Sequence, residues 1–146
     1  MPRVTGRHVP GRRWCGRRSC RRWVYEALTD TAQFDKVIEI SGAKKVKALG
    51  TEPTAISTDA GGTFVLFGGH IVGRQIDLVP GQRIVQAWRV VDWEPGVYSI
   101  ARFELKDQED GTRIVFDHTG FPKGLGSPLA EGWRLHYWEP LEKFLA

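Results

Sequence analysis

The sequence predicts an α+β fold in which a curved antiparallel β-sheet wraps around one long C-terminal α-helix. Three observations predict it. Downstream of Gly61-Gly62, five runs alternate apolar and polar residues with a period of two; short turn-forming segments separate them; and toward the C-terminus the period lengthens to about four.

The first element in the chain is the doubtful one. From Arg7 to Arg22 the sequence holds Pro10, Gly11 and Gly16 and no period of two, which makes it a poor strand. Residues 1–22 are therefore expected to form an atypical or disordered arginine-rich arm, apart from a domain over residues 23–146. Composition changes abruptly at Trp23, and richness in Arg, Gly, Trp and Cys is what a shifted reading frame of a GC-rich gene gives, so the arm reads as a foreign replacement.

From Val24 the pattern is regular. Val24, Ala27, Leu28, Ala32 and Phe34 are spaced for a short helix broken near Thr29 and Asp30, either of which can cap a second one. Val37 to Thr58 mixes Gly42, Gly50 and Pro53 with Lys44, Lys45 and Lys47, as an irregular exposed connection does. The five alternating runs are Thr63 to Phe67, His70 to Val79, Arg83 to Val91, Val97 to Lys106 and Thr112 to Thr119. Their separators are too short for the crossover that parallel neighbours need, so the sheet is an antiparallel meander. Leu129, Trp133, Tyr137, Leu141 and Phe144 then mark one face of a helix, with Ser127-Pro128 placed to start it and Pro140 to kink it. That stripe must be buried, and the concave face of the sheet is the surface available.

Composition narrows the function. At 146 residues, with 41% hydrophobic and 26% charged residues, the chain fits one soluble globular domain. No run approaches the length of a membrane span and no apolar segment follows the basic N-terminus, so a cytoplasmic protein that engages no membrane is expected. The net charge of +4 is local: eight arginines lie in the first 22 residues without one acid, leaving 13 basic against 17 acidic groups in the body. A nucleic-acid partner would need a basic stripe on the folded part, so none is expected. Cys15 and Cys20 are read as free thiols; with His8 they offer at most three ligands at no zinc spacing. His70, His118, His136 and Asp117 lie on separate elements, and neither a metal nor another cofactor is expected.

An ordered series of motifs now resembles a known family: Phe67-Gly68-Gly69-His70-Ile71-Val72-Gly73, Leu78-Val79-Pro80, Ile84-Val85-Gln86-Ala87-Trp88-Arg89, Gly111-Thr112, Asp117-His118, Gly132-Trp133 and Tyr137-Trp138 with Leu141 and Leu145, after an opening helix Val24 to Asp30. Over residues 23–146 the chain resembles the START-like SRPBCC superfamily, and within it the homologues of the activator of heat-shock-protein-90 ATPase. The resemblance implies a helix-grip fold with a cavity between sheet and helix. Branches of the superfamily use that cavity for lipid or hormone carriage or for polyketide cyclisation, and the activator branch includes domains that bind a chaperone. Members normally open with an alternating strand, which the arginine-rich arm lacks.

Alternation assigns candidate site residues. Ile114, Phe116 and His118 share a face, as do Ile84, Gln86, Trp88 and Val90, and as do Ser99, Ala101, Phe103 and Leu105. A ligand cavity is thus expected among Trp88, Ser99, Ala101, Phe103, Phe116, His118, Phe121, Trp133 and Tyr137, with small Ser99 and Ala101 leaving room. Plain core packing is the commoner role for such aromatics, and a satisfied core residue the commoner role for a lone histidine. Alternation also groups His70 and Arg74 with Val72, Ile76 and Leu78, placing Arg74 at the cavity mouth or against an acid. The leading expectation is a non-enzymatic domain that binds a hydrophobic small molecule or a chaperone-like protein. The alternative is a cyclase-like enzyme with His118 or His70 as general base and Arg74 polarising a carbonyl.

Overall fold

The computed structural model describes residues 3–10, 17–109 and 111–146, with side chains from Cys20 onward. Its elements are β1 (Arg3–Pro10), α1 (Arg17–Thr29), α2 (Thr31–Ile40), β2 (Ala55–Ile56), β3 (Thr63–Leu66), β4 (Ile71–Val79), β5 (Arg83–Val90), β6 (Ser99–Gln108), β7 (Gly111–Thr119), α3 (Gly126–Trp133), a π-helical turn (Arg134–Trp138) and α4 (Glu139–Leu145). The strands form one antiparallel sheet in the order β1-β7-β6-β5-β4-β3-β2. The expected helix-grip architecture is present.

The expectation of no regular first strand needs correction. Arg3–Pro10 is extended and pairs along β7, with a register shift between Val4 and Arg7. The position explains why this sequence is tolerated: β1 is an edge strand, and Pro10, which has no N–H to give, sits at its end opposite Gly111. The rest of the presumed arm is divided. Residues 11–16 lie outside the described residues, while Arg17 to Arg22 belong to α1. Cys20 is buried and disulfide-bonded, which corrects its reading as a free thiol; that reading rested on compartment, not geometry.

The break between the first two helices falls where expected. The Thr29 hydroxyl donates back to the Tyr25 carbonyl over 2.8 Å, and the Asp30 carboxylate accepts from the Gln33 N–H at 3.0 Å, capping α2. The irregular connection after α2 is held by side chains: Asp35 accepts from Lys44 at 2.7 Å and from Thr54 at 2.8 Å, and the Thr31 hydroxyl pairs with the backbone of Ile56.

Inward faces of β5, β6 and β7 match the alternation: Ile84, Gln86 and Trp88; Ser99, Ala101, Phe103 and Leu105; Ile114, Phe116 and His118 are all buried. On β4 the parity is the reverse of that expected. Ile71, Gly73 and Gln75 point inward while Arg74 and Ile76 are exposed, and a register shift between Gln75 and Asp77 returns Leu78 to a position opposite inward Ile84. Gly73 is required there, because a Cβ would collide with the Ala87 carbonyl and the Phe64 ring.

The C-terminal helix starts at Gly126, before Ser127, and no side chain caps it. It runs through Pro140 without a break. The Glu139 N–H donates to the Arg134 carbonyl five residues back, so the turn before the proline is widened, and the clash between a proline ring and the carbonyl four residues earlier is relieved. Arg134 spans this turn, ion-paired to both Glu131 and Glu139. Trp133, Tyr137, Trp138, Leu141 and Leu145 are buried against the sheet and α2, so the expected grip is present. Among the described residues no helix is long and apolar enough to cross a membrane.

Candidate functional site

Beneath the helix, His118 joins three elements. It projects inward from β7 opposite Ala101 of β6. Its Nε2 lies 2.7 Å from Ser99 Oγ, and the Trp133 indole N–H donates to its Nδ1 over 3.0 Å. An indole can only donate, so Nδ1 is the accepting nitrogen. Ser99 gives its one hydroxyl hydrogen to the Trp88 carbonyl at 2.9 Å, so the Nε2 proton of His118 is donated to Ser99. Both ring nitrogens are therefore engaged in a neutral imidazole. Burial pushes its pKa down to about 4, since nothing nearby offsets the loss of solvation of the charged form.

Around this group the aromatic rings pack closely against one another. His118 lies 5.0 Å from the Trp88 ring, 5.1 Å from Phe121 and 5.4 Å from Trp133, and the Phe116 and Trp133 rings are 4.3 Å apart. Farther along the sheet, Gln86 donates to Gln75 at 3.2 Å and Gln75 to the Ser57 carbonyl at 3.3 Å. These groups satisfy one another, whereas Thr112 Oγ1, fully buried on β7, has no hydrogen-bond partner.

Open space lies on the other side of the Trp88, Trp133 and Tyr137 wall. A cavity of about 220 Å³ is bounded by Pro128, Leu129, Gly132, Trp133, His136 and Tyr137 of the helix, Trp88 and Val90 of β5, Ile71 of β4, Leu49, and Phe67 and His70 between β3 and β4. Its lining is mainly apolar. The Tyr137 hydroxyl accepts from the Trp88 indole at 3.3 Å, and burial raises its pKa. His136 is held below its ordinary pKa by burial and by the neighbouring His70.

Of the nine residues expected around a cavity, Trp88, Trp133 and Tyr137 line this one. Ser99, Ala101, Phe103, Phe116 and His118 are buried in the packed interior, and half-buried Phe121 rests on the His118 ring. Ser99 and Ala101 are small because the His118 hydrogen bonds and the facing rings occupy the volume above them. His70 lines the cavity, but Arg74 is exposed and donates to the Gly61 carbonyl at 3.1 Å, so the trio of His118, His70 and Arg74 is not brought together. Sequence reasoning passed over Phe67, Leu129, Gly132 and His136 as lining residues. The signal for His136 is its spacing, seven residues after Leu129 and three after Trp133, which puts it beside the apolar stripe. Among the described residues no group of three His, Cys, Asp or Glu side chains is placed to hold a metal ion.

The sequence model of the family described as Activator of Hsp90 ATPase homolog 1-like protein matches residues 19–146. The chain belongs to that family. It is 28% identical over 98 residues to the human activator of 90 kDa heat shock protein ATPase homolog 1, covering 67% of this chain and 29% of the relative. It is 33% identical over 102 residues to the Dictyostelium discoideum homolog, covering 69% of this chain and 26% of the relative. This member of the Hsp90-activator family thus spans under a third of the length of these curated relatives. The crystal structure of an HSP90 activator from Plasmodium falciparum superimposes with a TM-score of 0.75 at 20% identity, covering 98% of this chain and 94% of the other, and shares its fold.

Proposed function

We propose that this Hsp90-activator-like domain is a binding module, not a catalyst, and that its cavity takes a hydrophobic small molecule. The observation that supports this reading most is that Ser99, His118 and Trp133 are hydrogen-bonded to one another in the interior, while the cavity is lined mainly by apolar side chains. Catalysis of the cyclase type asks for a general base beside a cation that polarises the carbonyl, His118 or His70 with Arg74. His118 has both nitrogens occupied and Arg74 faces solvent. A cavity of 220 Å³ suits an occupant of about six to ten heavy atoms, since an engineered cavity of roughly 150 Å³ takes benzene.

Gly132 supplies the test. A Cβ there would meet nothing within 4 Å, so Gly132→Phe places a ring in the cavity with little strain on the backbone. An environment-sensitive apolar dye should bind the native chain and lose most of its affinity for Gly132→Phe, with the unfolding midpoint held. Equal dye binding by both proteins would remove this reading.

A protein partner of the Hsp90 type is the second reading, supported by the family match across residues 19–146. Calorimetric titration of the chain into purified Hsp90 tests it: saturable heat supports the reading, and its absence at concentrations of about 100 μM, where even modest interfaces register, removes it.

A further inference from the structure

Three departures from regular structure meet at the cavity. Phe67 is the one non-glycine residue with positive φ among the described residues, at 53°. The helix that faces it winds as a π turn from Arg134 to Trp138. Within that turn, Nδ1 of His136 is buried with no hydrogen-bond partner. Left-handed backbone at a bulky residue and π turns persist only where surrounding packing holds them, and both concentrate at ligand sites. A buried nitrogen without a partner is uncommon as well; Thr112 Oγ1 is another such atom among the described residues.

These features touch. The Phe67 ring lies 5.8 Å from the His136 ring and 5.5 Å from that of Tyr137. Gly68 and Gly69, both at positive φ, follow Phe67 and carry the chain to His70, which lines the same cavity and is near enough to His136 to hold its pKa down. The titratable groups lining the cavity are His70, His136 and Tyr137; no Asp, Glu, Lys or Arg is among its lining residues. Two imidazoles without a facing carboxylate repel one another when protonated, and an anion between them would relieve that repulsion.

Resting on the reading of the cavity as a small-molecule site, we propose that His136 and His70 form its headgroup site and that the ligand is a small monocarboxylic acid with its tail toward Leu129, Ile71 and Trp88. A carboxylate in the cavity can accept an N–H from each imidazole, and its charge favours the protonated form of His136. An alcohol could hydrogen-bond to both imidazoles but, being neutral, would gain nothing from their protonation.

Hexanoate and its neutral methyl ester are matched probes, followed by NMR at the indole N–H groups of Trp88 and Trp133. Hexanoate should bind about tenfold more tightly than the ester at pH 6, as charge-assisted hydrogen bonds allow, and the margin should shrink at pH 8. His136→Gln should erase the margin between acid and ester measured on the same variant, and His70→Gln should reduce it. Equal affinities for acid and ester, or a margin that survives His136→Gln, would overturn the headgroup assignment and leave the cavity reading standing. Binding of neither probe would overturn both.

Discussion

The indole N–H of Trp133 and the Nδ1 atom of His118 are 3.0 Å apart, so the helix and the last strand are joined by a hydrogen bond that only the unprotonated nitrogen can accept. This bond ties the protonation of one buried residue to the docking of the helix.

Stability should therefore fall in acid. The folded pKa of His118, near 4, lies below its ordinary value of 6.5. The unfolded chain takes up the proton first, so the stabilisation is fully present above pH 6.5 and is lost as pH drops toward 4. The loss from this group is on the order of 3 kcal/mol. Urea midpoints between pH 7.5 and 4 measure it, and the ring signals of His118 should not titrate between pH 5.5 and 8.

Trp133→Phe keeps much of the apolar bulk and removes the donor, leaving Nδ1 of His118 unpaired in the interior. A cost of about 1 to 3 kcal/mol is expected from the orphaned acceptor. Trp133→Ala, which also empties the space under the helix, should cost about 3 to 5 kcal/mol. Denaturant melts of the two variants separate the hydrogen bond from the packing.

Ala101→Trp should destabilise by at least about 1 to 3 kcal/mol, because Ala101 is fully buried opposite His118 and the volume there is already filled. Gly132→Ala should do the opposite. Its Cβ meets open space on a helix, so a gain of about 0.5 to 1 kcal/mol is expected in thermal or urea unfolding.

Removing residues 1–10 should lower stability and promote self-association, since β7 would lose its partner along Gly111 to Asp117 and become an exposed edge. Unfolding midpoints and sedimentation of the two chain lengths measure both effects. An unchanged midpoint in a monomer would show that the β1 pairing contributes little.

Much of this fold is legible in the sequence because on three strands the largest apolar residues fall mainly on one face. Ile114, Phe116 and His118, like Ile84, Gln86 and Trp88, announce the interior by alternation alone. On β4 the signal inverts. Its inward face reads Ile71, Gly73 and Gln75, with a glycine demanded by the Phe64 ring and a glutamine paired to Gln86, while Val72 and Ile76 make the outer face look like core. Arg74 was misplaced for that reason. The edge strand was hidden because an outermost strand tolerates proline and glycine that an inner one does not.

The site was less legible than the fold. Trp88, Trp133 and Tyr137 stand out as large inward aromatics, but which side of them is empty depends on how the side chains interlock. His118 looks like a cavity histidine by parity, and only its two hydrogen bonds show it to be a packed one. His136 lies seven residues after Leu129 and three after Trp133, on the flank of the apolar stripe, and is missed when only apolar residues are counted toward that face.

The central claim is that the chain binds in the cavity beside His136 and not in the packed interior around His118. Methyl resonances followed during titration with methyl hexanoate test it most directly. The account expects shifts at Leu49, Ile71, Val90 and Leu129, with Ala101, Leu105 and Ile114 unmoved, and loss of those shifts in Gly132→Phe. Shifts centred on Ala101 and Ile114, or no saturable shift at any cavity methyl, would contradict it.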